Sequence, residues 1–225
     1  FYEALFGWHF QESTRNGKPY FIARLGGKPV GGIVEVKDPR VQEAGWLSYL
    51  SVDDIDKAVA QVRNAGGKVL VEPMSIVGIG RVRAGLDPEG APLGLAALDI
   101  AAPAEPSEPL VARFFWREYF AHDAAKSLAF YKDLNGYQDS LSERPGAVAY
   151  HLLERNGPQA GLVQLPEAMS IVKANWLPYL RVDDPAAVSA RVRDLGGRVI
   201  LAPVPEVRNG TVAIVADPTG GAVAL

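Results

Sequence analysis

Cysteine is absent from this 225-residue chain, which excludes disulfides, thiolate metal sites and cysteine nucleophiles. An excess of one charge is also lacking, because 23 Lys and Arg stand against 26 Asp and Glu. This balance leaves no basic surface for nucleic acid or for an anionic membrane, so we expect neither as a partner. No run approaches about 18 consecutive apolar residues, which argues against a membrane-spanning helix.

What the chain does contain is an internal repeat. The opening segment FYEALFGW recurs 129 residues later as FYKDLNGY, at positions 130–137. From Trp46 onward the offset is 130, and WLSYLSVDD (46–54) matches WLPYLRVDD (176–184). Asp87-Pro88-x-Gly90 has its match in Asp217-Pro218-x-Gly220. An ordered set of matches over this distance indicates two duplicated domains.

A proline-rich segment separates the two halves. Prolines at positions 103, 106 and 109 disfavour a helix or a central strand and favour a semi-extended linker. We therefore predict a first domain over 1–99, a linker over 100–110 and a second domain over 111–225.

A shorter repeat lies inside each half. Three of the four tryptophans stand seven residues before an aspartate: Trp46 before Asp53, Trp116 before Asp123 and Trp176 before Asp183. A helical apolar pattern and then three strand-like runs follow, so each repeat reads strand, helix, strand, strand, strand. The chain opens inside a helix, and we expect the strand that completes this first repeat to precede Phe1 in a longer natural protein.

These motifs resemble a known family. Phe-Tyr-x-x-Leu-x-Gly, Trp-x-x-Tyr-x-x-Val-Asp-Asp, Gly-Gly-x-Val and Asp-Pro-x-Gly follow one another in both halves. In this order they resemble the vicinal oxygen chelate superfamily of glyoxalases, bleomycin-resistance proteins and extradiol dioxygenases. The resemblance implies an α+β fold of tandem glyoxalase-like domains. Each would consist of two βαβββ units that curl into an open cup around a ligand.

The same resemblance implies where a metal would bind. Metal-dependent members hold a divalent ion through His, Gln or Glu side chains on the first and last strands of the units. The corresponding first-strand positions carry the three tryptophans, and the last-strand positions fall near Gly94 and Ala224. Indole is not a metal ligand. Only Glu35, with Gln164 as its counterpart, retains a donor as a remnant, so we predict no metal cofactor.

The three histidines do not rebuild such a site. His9, His122 and His151 stand at unrelated positions of the repeat, so shared coordination is not expected. His151 is the most interesting of them because it adjoins Tyr150 on a predicted strand of the cup. We retain both residues, together with Tyr20, as predicted ligand contacts.

Strand alternation places Trp116, Glu118 and Phe120 on one face, which the resemblance points into the cup. Trp46, Trp116 and Trp176 then form either an apolar wall for a flat ligand or part of the core. Glu118 is the candidate for chemistry, as a general base or as the anchor of a cationic ligand. The alternative is a structural carboxylate at the rim or paired with an arginine.

Arg81 and Arg83 also attract attention, because they alternate with Val82 on a predicted strand. Two arginines on one strand face can clamp an acidic ligand. Their counterparts in the second half are Thr211 and Ala213, and for this reason the sequence favours a solvated strand face instead.

Three functional hypotheses remain open. The leading one is a small-molecule-binding protein of the superfamily that works without a metal. The second is a metal-dependent lyase or isomerase of the glyoxalase type, or a dioxygenase, which would require a divalent ion. The third is a drug-sequestering resistance protein, and a homodimer is an expectation of that resemblance. A cytoplasmic location is favoured, with a signal peptide ahead of Phe1 as the open alternative.

Overall fold

The structure is a computed structural model, and it describes residues 1–15, 17–37, 44–70, 74–76, 80–99, 110–142 and 149–225. The linker predicted over 100–110 lies outside the described residues except for Leu110. Within the described ranges, no helix has the length and the apolar character needed to cross a membrane.

The described chain contains short helices and many strands. The α-helices are α1 (Tyr2–Phe6), α2 (Ile55–Asn64), α3 (Ala124–Asn135) and α4 (Pro185–Val192). The strands of the first half are β1 (His9–Arg15), β2 (Lys18–Leu25), β3 (Lys28–Val34), β4 (Tyr49–Ser51), β5 (Lys68–Val69), β6 (Met74–Ile76), β7 (Gly80–Leu86) and β8 (Pro92–Leu98). Those of the second half are β9 (Phe114–Ala121), β10 (Gln138–Ser142), β11 (Tyr150–Glu154), β12 (Pro158–Gln164), β13 (Asn175–Leu180), β14 (Arg198–Leu201), β15 (Ile214–Ala216) and β16 (Ala222–Ala224). Single-turn 3₁₀ helices lie at Glu167–Met169 and Arg208–Gly210.

This element order confirms the predicted α+β fold with open sheets. Strand, helix and three strands follow one another from β9 to β12 and again from β13 to β16. The stretch from β4 to β8 follows the same plan with the short additional strand β6, and the described chain begins at α1.

The described chain groups into two compact units, and neither coincides with a half of the sequence. The first unit contains Phe1–Trp46, Pro106–Phe115 and Pro178–Leu225, and the second contains Leu47–Glu105 and Trp116–Leu177. Each unit therefore combines a segment of the first half with a segment of the second. The division of the sequence into domains at 1–99 and 111–225 therefore stays a prediction, based on the internal repeat.

In the first unit, β1, β2 and β3 form an antiparallel meander. Strands β14, β15 and β16 pair antiparallel in that order, and Tyr179 of β13 pairs with Ala224 in parallel. The core includes Tyr2, Trp8, Leu180 and Val223, and the indole N–H of the fully buried Trp8 donates to the carbonyl of Ala112 at 2.9 Å.

In the second unit, β8 lies between β4, which runs parallel to it, and the antiparallel β7. A second group of strands has the order β10-β11-β12-β9, in which only β12 and β9 are parallel. Helix α2 contributes the apolar side chains that its sequence spacing predicts to be buried. They are Ile55, Ala58, Val59 and Val62.

One buried carboxylate organises the core of the second unit. Asp87, at the turn between β7 and β8, is 3% exposed. Its Oδ2 accepts hydrogen bonds from the hydroxyls of Tyr119, at 2.6 Å, and of Tyr131, at 2.7 Å. Its Oδ1 accepts from the backbone N–H groups of Glu89 and Ala91 at 2.9 Å. Four donors compensate the removal of the carboxylate from water.

The first unit repeats this arrangement with the two halves exchanged. The Tyr2 hydroxyl donates to Oδ2 of Asp217 at 2.7 Å, and Oδ1 accepts from Thr219 and from the backbone of Gly221. In both units, the tyrosine of the Phe-Tyr motif of one half therefore binds the aspartate of the Asp-Pro-x-Gly turn of the other.

Replacement of Tyr131 by Phe tests this contact. The substitution removes one of the four donors to Asp87, and we expect the free energy of unfolding to fall by about 1–3 kcal/mol. The measurement is chemical denaturation followed by circular dichroism. Tyr137→Phe is the control, because Tyr137 is also buried but its hydroxyl makes no hydrogen bond with the described residues. Equal losses in the two variants would contradict a specific contribution of the Tyr131 hydroxyl.

Ionisation of the same tyrosines should be coupled to unfolding at high pH. Burial, together with the nearby aspartate, raises the pKa of Tyr2, Tyr119 and Tyr131 above the ordinary value of 10.0. Because their folded pKa is raised, their contribution to stability is complete below pH 10.0 and is lost as the pH rises further. We expect part of the tyrosinate absorbance to appear only together with unfolding. Full ionisation of all tyrosines while the near-ultraviolet dichroism stays native would contradict this.

Candidate functional site

The helix N-caps provide a common reference for comparing the positions of the three tryptophans. The side chains of Asp54, Asp123 and Asp184 cap the N-termini of α2, α3 and α4. Counted from the cap, Trp46 and Trp176 stand eight residues earlier, whereas Trp116 stands only seven residues earlier. The inference that the three share one position of the repeat is wrong by one residue for Trp116, and a shift of one residue in a strand reverses the face.

Trp46 and Trp176 face helices of their own units rather than an open sheet surface. The indole N–H of Trp176, which is 7% exposed, donates to the Tyr131 hydroxyl at 2.9 Å. That of Trp46 donates to the Tyr2 hydroxyl at 3.2 Å and the ring packs against Phe114. Both indoles thus extend the tyrosine–aspartate contacts, and a contact of either with a ligand stays a prediction.

Trp116 lies on the opposite face of its strand, in a surface that we call the β9 face. Glu118 of β9 pairs in register with Gly161 of β12, which pairs with Leu152 of β11. Phe120, Val163 and Tyr150 form the next row. The β9 face comprises Trp116, Glu118, Phe120, Tyr150, Leu152, Gly161 and Val163.

A short chain of hydrogen bonds crosses this face. The indole N–H of Trp116 donates to the Tyr150 hydroxyl at 3.1 Å, and that hydroxyl donates to Oε1 of Glu118 at 2.7 Å. Glu118 is 3% exposed and Tyr150 is 4% exposed, whereas Trp116 is half-buried. Because each bond polarises the next, the tyrosine is a stronger donor to the carboxylate than it would be alone. The prediction that Trp116 and Glu118 share a face describes the observed geometry, and the structure adds Tyr150 as the partner of both.

Gly161 allows this geometry, because a Cβ at this position would overlap the ring of Tyr150. The first unit has the same device, in which Tyr20 lies across Gly32. There the guanidinium of Arg15 stacks over the tyrosine ring, 3.9 Å from the centre of the ring. The two predicted tyrosines therefore occupy equivalent places, but only Tyr150 has a buried carboxylate as its partner.

His151 does not join Tyr150. Adjacent residues of a strand point to opposite faces, and the Nδ1 atom of His151 lies 3.2 Å from Oδ2 of Asp139. Lys132 of α3 also binds Asp139, at 2.6 Å. Hydrogen bonding to Lys132 lowers the pKa of Asp139. This charged group lies on the helix side of the sheet, so the predicted ligand contact of His151 has no geometric connection to the β9 face.

The described residues at the family's metal positions do not fit a divalent ion. Glu35 is exposed and pairs with Lys37 at 3.1 Å, and the amide oxygen of Gln164 accepts from the first helical N–H of α3, at Ala124. A side chain at Gly94 would collide with the carbonyl of Ser48. Among the residues that the structure describes, no three His, Asp or Glu side chains converge as a metal site would require.

Two clefts of about 270 and 290 Å³ occur in the described residues, and neither is lined by Trp116, Glu118 or Tyr150. Within its own unit, the β9 face is a sheet surface with a buried carboxylate rather than an enclosed cavity. Its aromatic and apolar side chains can stack against a flat molecule, and its carboxylate can accept a hydrogen bond from that molecule.

Comparison with known proteins places this geometry in a family. The model of the Glyoxalase/Bleomycin resistance protein/Dioxygenase superfamily matches residues 1–95, and that of a glyoxalase-like domain matches residues 115–225. The chain belongs to this superfamily. The resemblance inferred from the ordered motifs is thereby confirmed, including its occurrence in both halves of the chain.

Similar proteins occur in Mycobacterium and Streptomyces. CFP32 of Mycobacterium tuberculosis, a candidate glyoxylase, is 30% identical over 98% of this chain and 85% of its own length. The anthracycline biosynthesis protein DauV of Streptomyces is 27% identical over 98% of this chain and 84% of its own length.

Solved structures share the fold. The Mn(II)-bound glyoxalase of Novosphingobium aromaticivorans has a TM-score of 0.60 at 15% identity, covering 99% of this chain and 76% of its own. The 2,2',3-trihydroxybiphenyl 1,2-dioxygenase of Sphingomonas wittichii has a TM-score of 0.57 at 17% identity, covering 100% and 82%. At these identities the likeness shows the fold alone.

Sequence reasoning missed the polar partners of the tryptophans. Tyr2, Tyr131, Asp87 and Asp217 all stand in the repeated motifs, so the signal was present as recurrence. Recurrence of an aspartate next to proline and glycine indicated only a turn, and nothing local in the sequence links that turn to a tyrosine of the other half.

Replacement of Gly161 by Ala tests the support beneath the β9 face. The methyl group would displace Tyr150, which is enclosed, so we expect a loss of about 1–3 kcal/mol in the free energy of unfolding. Gly32→Ala is the matched variant, and it should cost less because Tyr20 is half-exposed and can move outward. Equal losses would contradict a specific role of the Tyr150–Glu118 contact.

Proposed function

We propose that this protein binds a flat, hydroxylated aromatic molecule on the β9 face, without a metal at the family positions. The observation that carries the proposal is the Glu118 carboxylate, 3% exposed and bound by Tyr150, within a half-buried apolar surface. A ligand ring would pack on the half-buried Trp116 indole, and a ligand hydroxyl would donate to Glu118 once the side chains that cover this carboxylate move aside.

Burial supplies affinity and the carboxylate supplies selectivity in this arrangement. Each square ångström of apolar surface removed from water contributes roughly 25 cal/mol. A hydrogen bond to a charged group adds about 1.5–3 kcal/mol, and a ligand without a donor leaves the carboxylate without that bond. The face therefore favours phenols over aromatic hydrocarbons of the same shape.

The names of the Streptomyces relatives support an aromatic ligand. DauV and DnrV are named as anthracycline biosynthesis proteins, and this chain covers 98% of its own length in both alignments.

The second candidate is a metal-dependent lyase or isomerase of the glyoxalase type, or a dioxygenase. The name of CFP32 is the observation that favours it. In that case Glu35 would be one ligand, but it is exposed and paired with Lys37. Since the described residues do not supply the remaining ligands, we derive no step through a metal.

Replacement of Glu118 by Gln tests the leading proposal. We expect quinizarin, a dihydroxyanthraquinone, to quench tryptophan fluorescence, and we expect Glu118→Gln to weaken its binding about 10-fold or more, because a charged acceptor is lost. Unsubstituted anthraquinone should bind similarly to both proteins. Glu3→Gln, at an exposed position of α1, is the control and should bind quinizarin normally.

The proposal is wrong if quinizarin does not bind, or if Glu118→Gln and Glu3→Gln bind it with equal affinity. Near-ultraviolet dichroism of each variant separates a lost hydrogen bond from a lost fold.

A further inference from the structure

Arg81 and Arg83 lie beside a cleft that the β9 face does not include. This cleft, of about 270 Å³, lies in the second unit between α2 and the strands β5 and β7. Val59, Val69 and Leu70 form an apolar wall, and the charged lining residues are Asp56, Arg63 and Arg83.

The guanidinium of Arg83 is only partly compensated. Arg81 binds both carboxylate oxygens of Asp56, at 2.9 and 3.0 Å, whereas Arg83 reaches the same carboxylate only through Nη2 at 3.6 Å. The Arg83 side chain is 12% exposed, and its Nε and Nη1 atoms are buried without a hydrogen-bond partner. Covered donors of a cation without an acceptor are unfavourable, so a turn of this guanidinium that brings the donors to an anion would be favourable.

The repeat shows that the fold does not require these charges. The positions equivalent to Asp56, Arg81 and Arg83 in the second half are Ala186, Thr211 and Ala213. The Ala213 position is fully buried and is filled by a methyl group. The second half thus folds with small uncharged residues where the first half carries the three charges.

The charge and the walls of the cleft indicate the class of ligand. Among the charged residues that line the cleft, Arg63 and Arg83 exceed the single negative charge of Asp56 by one, which attracts an anion. A fully hydrated dianion such as phosphate would gain nothing from Val59, Val69 or Leu70. A carboxylate with a short hydrocarbon tail satisfies both parts, because guanidinium binds carboxylate through paired N–H groups.

We infer that this cleft binds an aliphatic carboxylate. Its carboxylate group would lie against Arg83 and Arg63, and its tail would lie along Val59, Val69 and Leu70. The Nε and Nη1 groups are covered by protein atoms, so the guanidinium turns toward the cleft when it receives the ligand. The inference is independent of the β9 face and does not rest on its proposed ligand.

The probe is hexanoate, measured by isothermal titration calorimetry on the whole protein. We expect hexanoate to bind, and we expect Arg83→Ala, which copies the residue of the second half, to weaken binding about 10-fold or more. Hexanamide, which has the same shape without charge, should bind about 10-fold more weakly than hexanoate. Arg193→Ala is the matched control and should bind hexanoate normally. Arg193 is exposed, is the counterpart of Arg63 in the second half of the sequence and lies outside this cleft.

Several results would overturn the inference. Hexanoate could fail to bind, or it could bind Arg83→Ala as tightly as the unaltered protein. Hexanamide could bind as tightly as hexanoate, or inorganic phosphate could bind in place of hexanoate. Near-ultraviolet dichroism establishes whether Arg83→Ala is folded. If it is not, Arg63→Ala, on the exposed side of α2, takes its place with the same expected loss. Quinizarin binding should be unchanged in every one of these variants.

Discussion

The hydrogen bond between a buried tyrosine and the aspartate of a turn is the contact on which both compact units depend. Tyr131 with Asp87, and Tyr2 with Asp217, join a helix of one half to a turn of the other. Because a buried carboxylate is unfavourable without donors, it constrains the tyrosine, the turn and the indole that donates to the tyrosine to one arrangement. Two of the motifs that repeat along the chain, Phe-Tyr and Asp-Pro-x-Gly, therefore supply the tyrosine and the aspartate of this contact.

This constraint also accounts for the different surroundings of the three tryptophans. Trp46 and Trp176 are engaged by the helix tyrosines, whereas Trp116 is one residue out of phase with them and lies on the opposite face of its strand. There it meets Tyr150 and the carboxylate of Glu118 above a glycine. The same repeated framework thus holds one tryptophan beside a carboxylate, one in the core and one packed against the core.

The sequence predicted the order of elements, the duplicated superfamily fold and the shared face of Trp116 and Glu118, because hydrophobic periodicity and ordered motifs are local signals. The predicted direction of Trp46 and Trp176 into the cup was wrong, because the register was counted from Asp53 and Asp183, whereas the adjacent aspartates cap the helices. The lack of a hydrogen-bond partner at Nε and Nη1 of Arg83 was also beyond sequence reasoning. Whether Arg83 is compensated depends on its distance from Asp56 relative to that of Arg81, and the sequence does not reveal these distances.

The most direct test of a metal-independent aromatic site is a crystal structure of the protein grown with quinizarin and Mn²⁺, with data collected at the manganese absorption edge. The account predicts ligand density against the Trp116 indole with a hydroxyl on Glu118, and no anomalous peak beside either residue. An anomalous peak at coordinating distance from Glu118 or Glu35, or a ligand bound away from the β9 face, would contradict it.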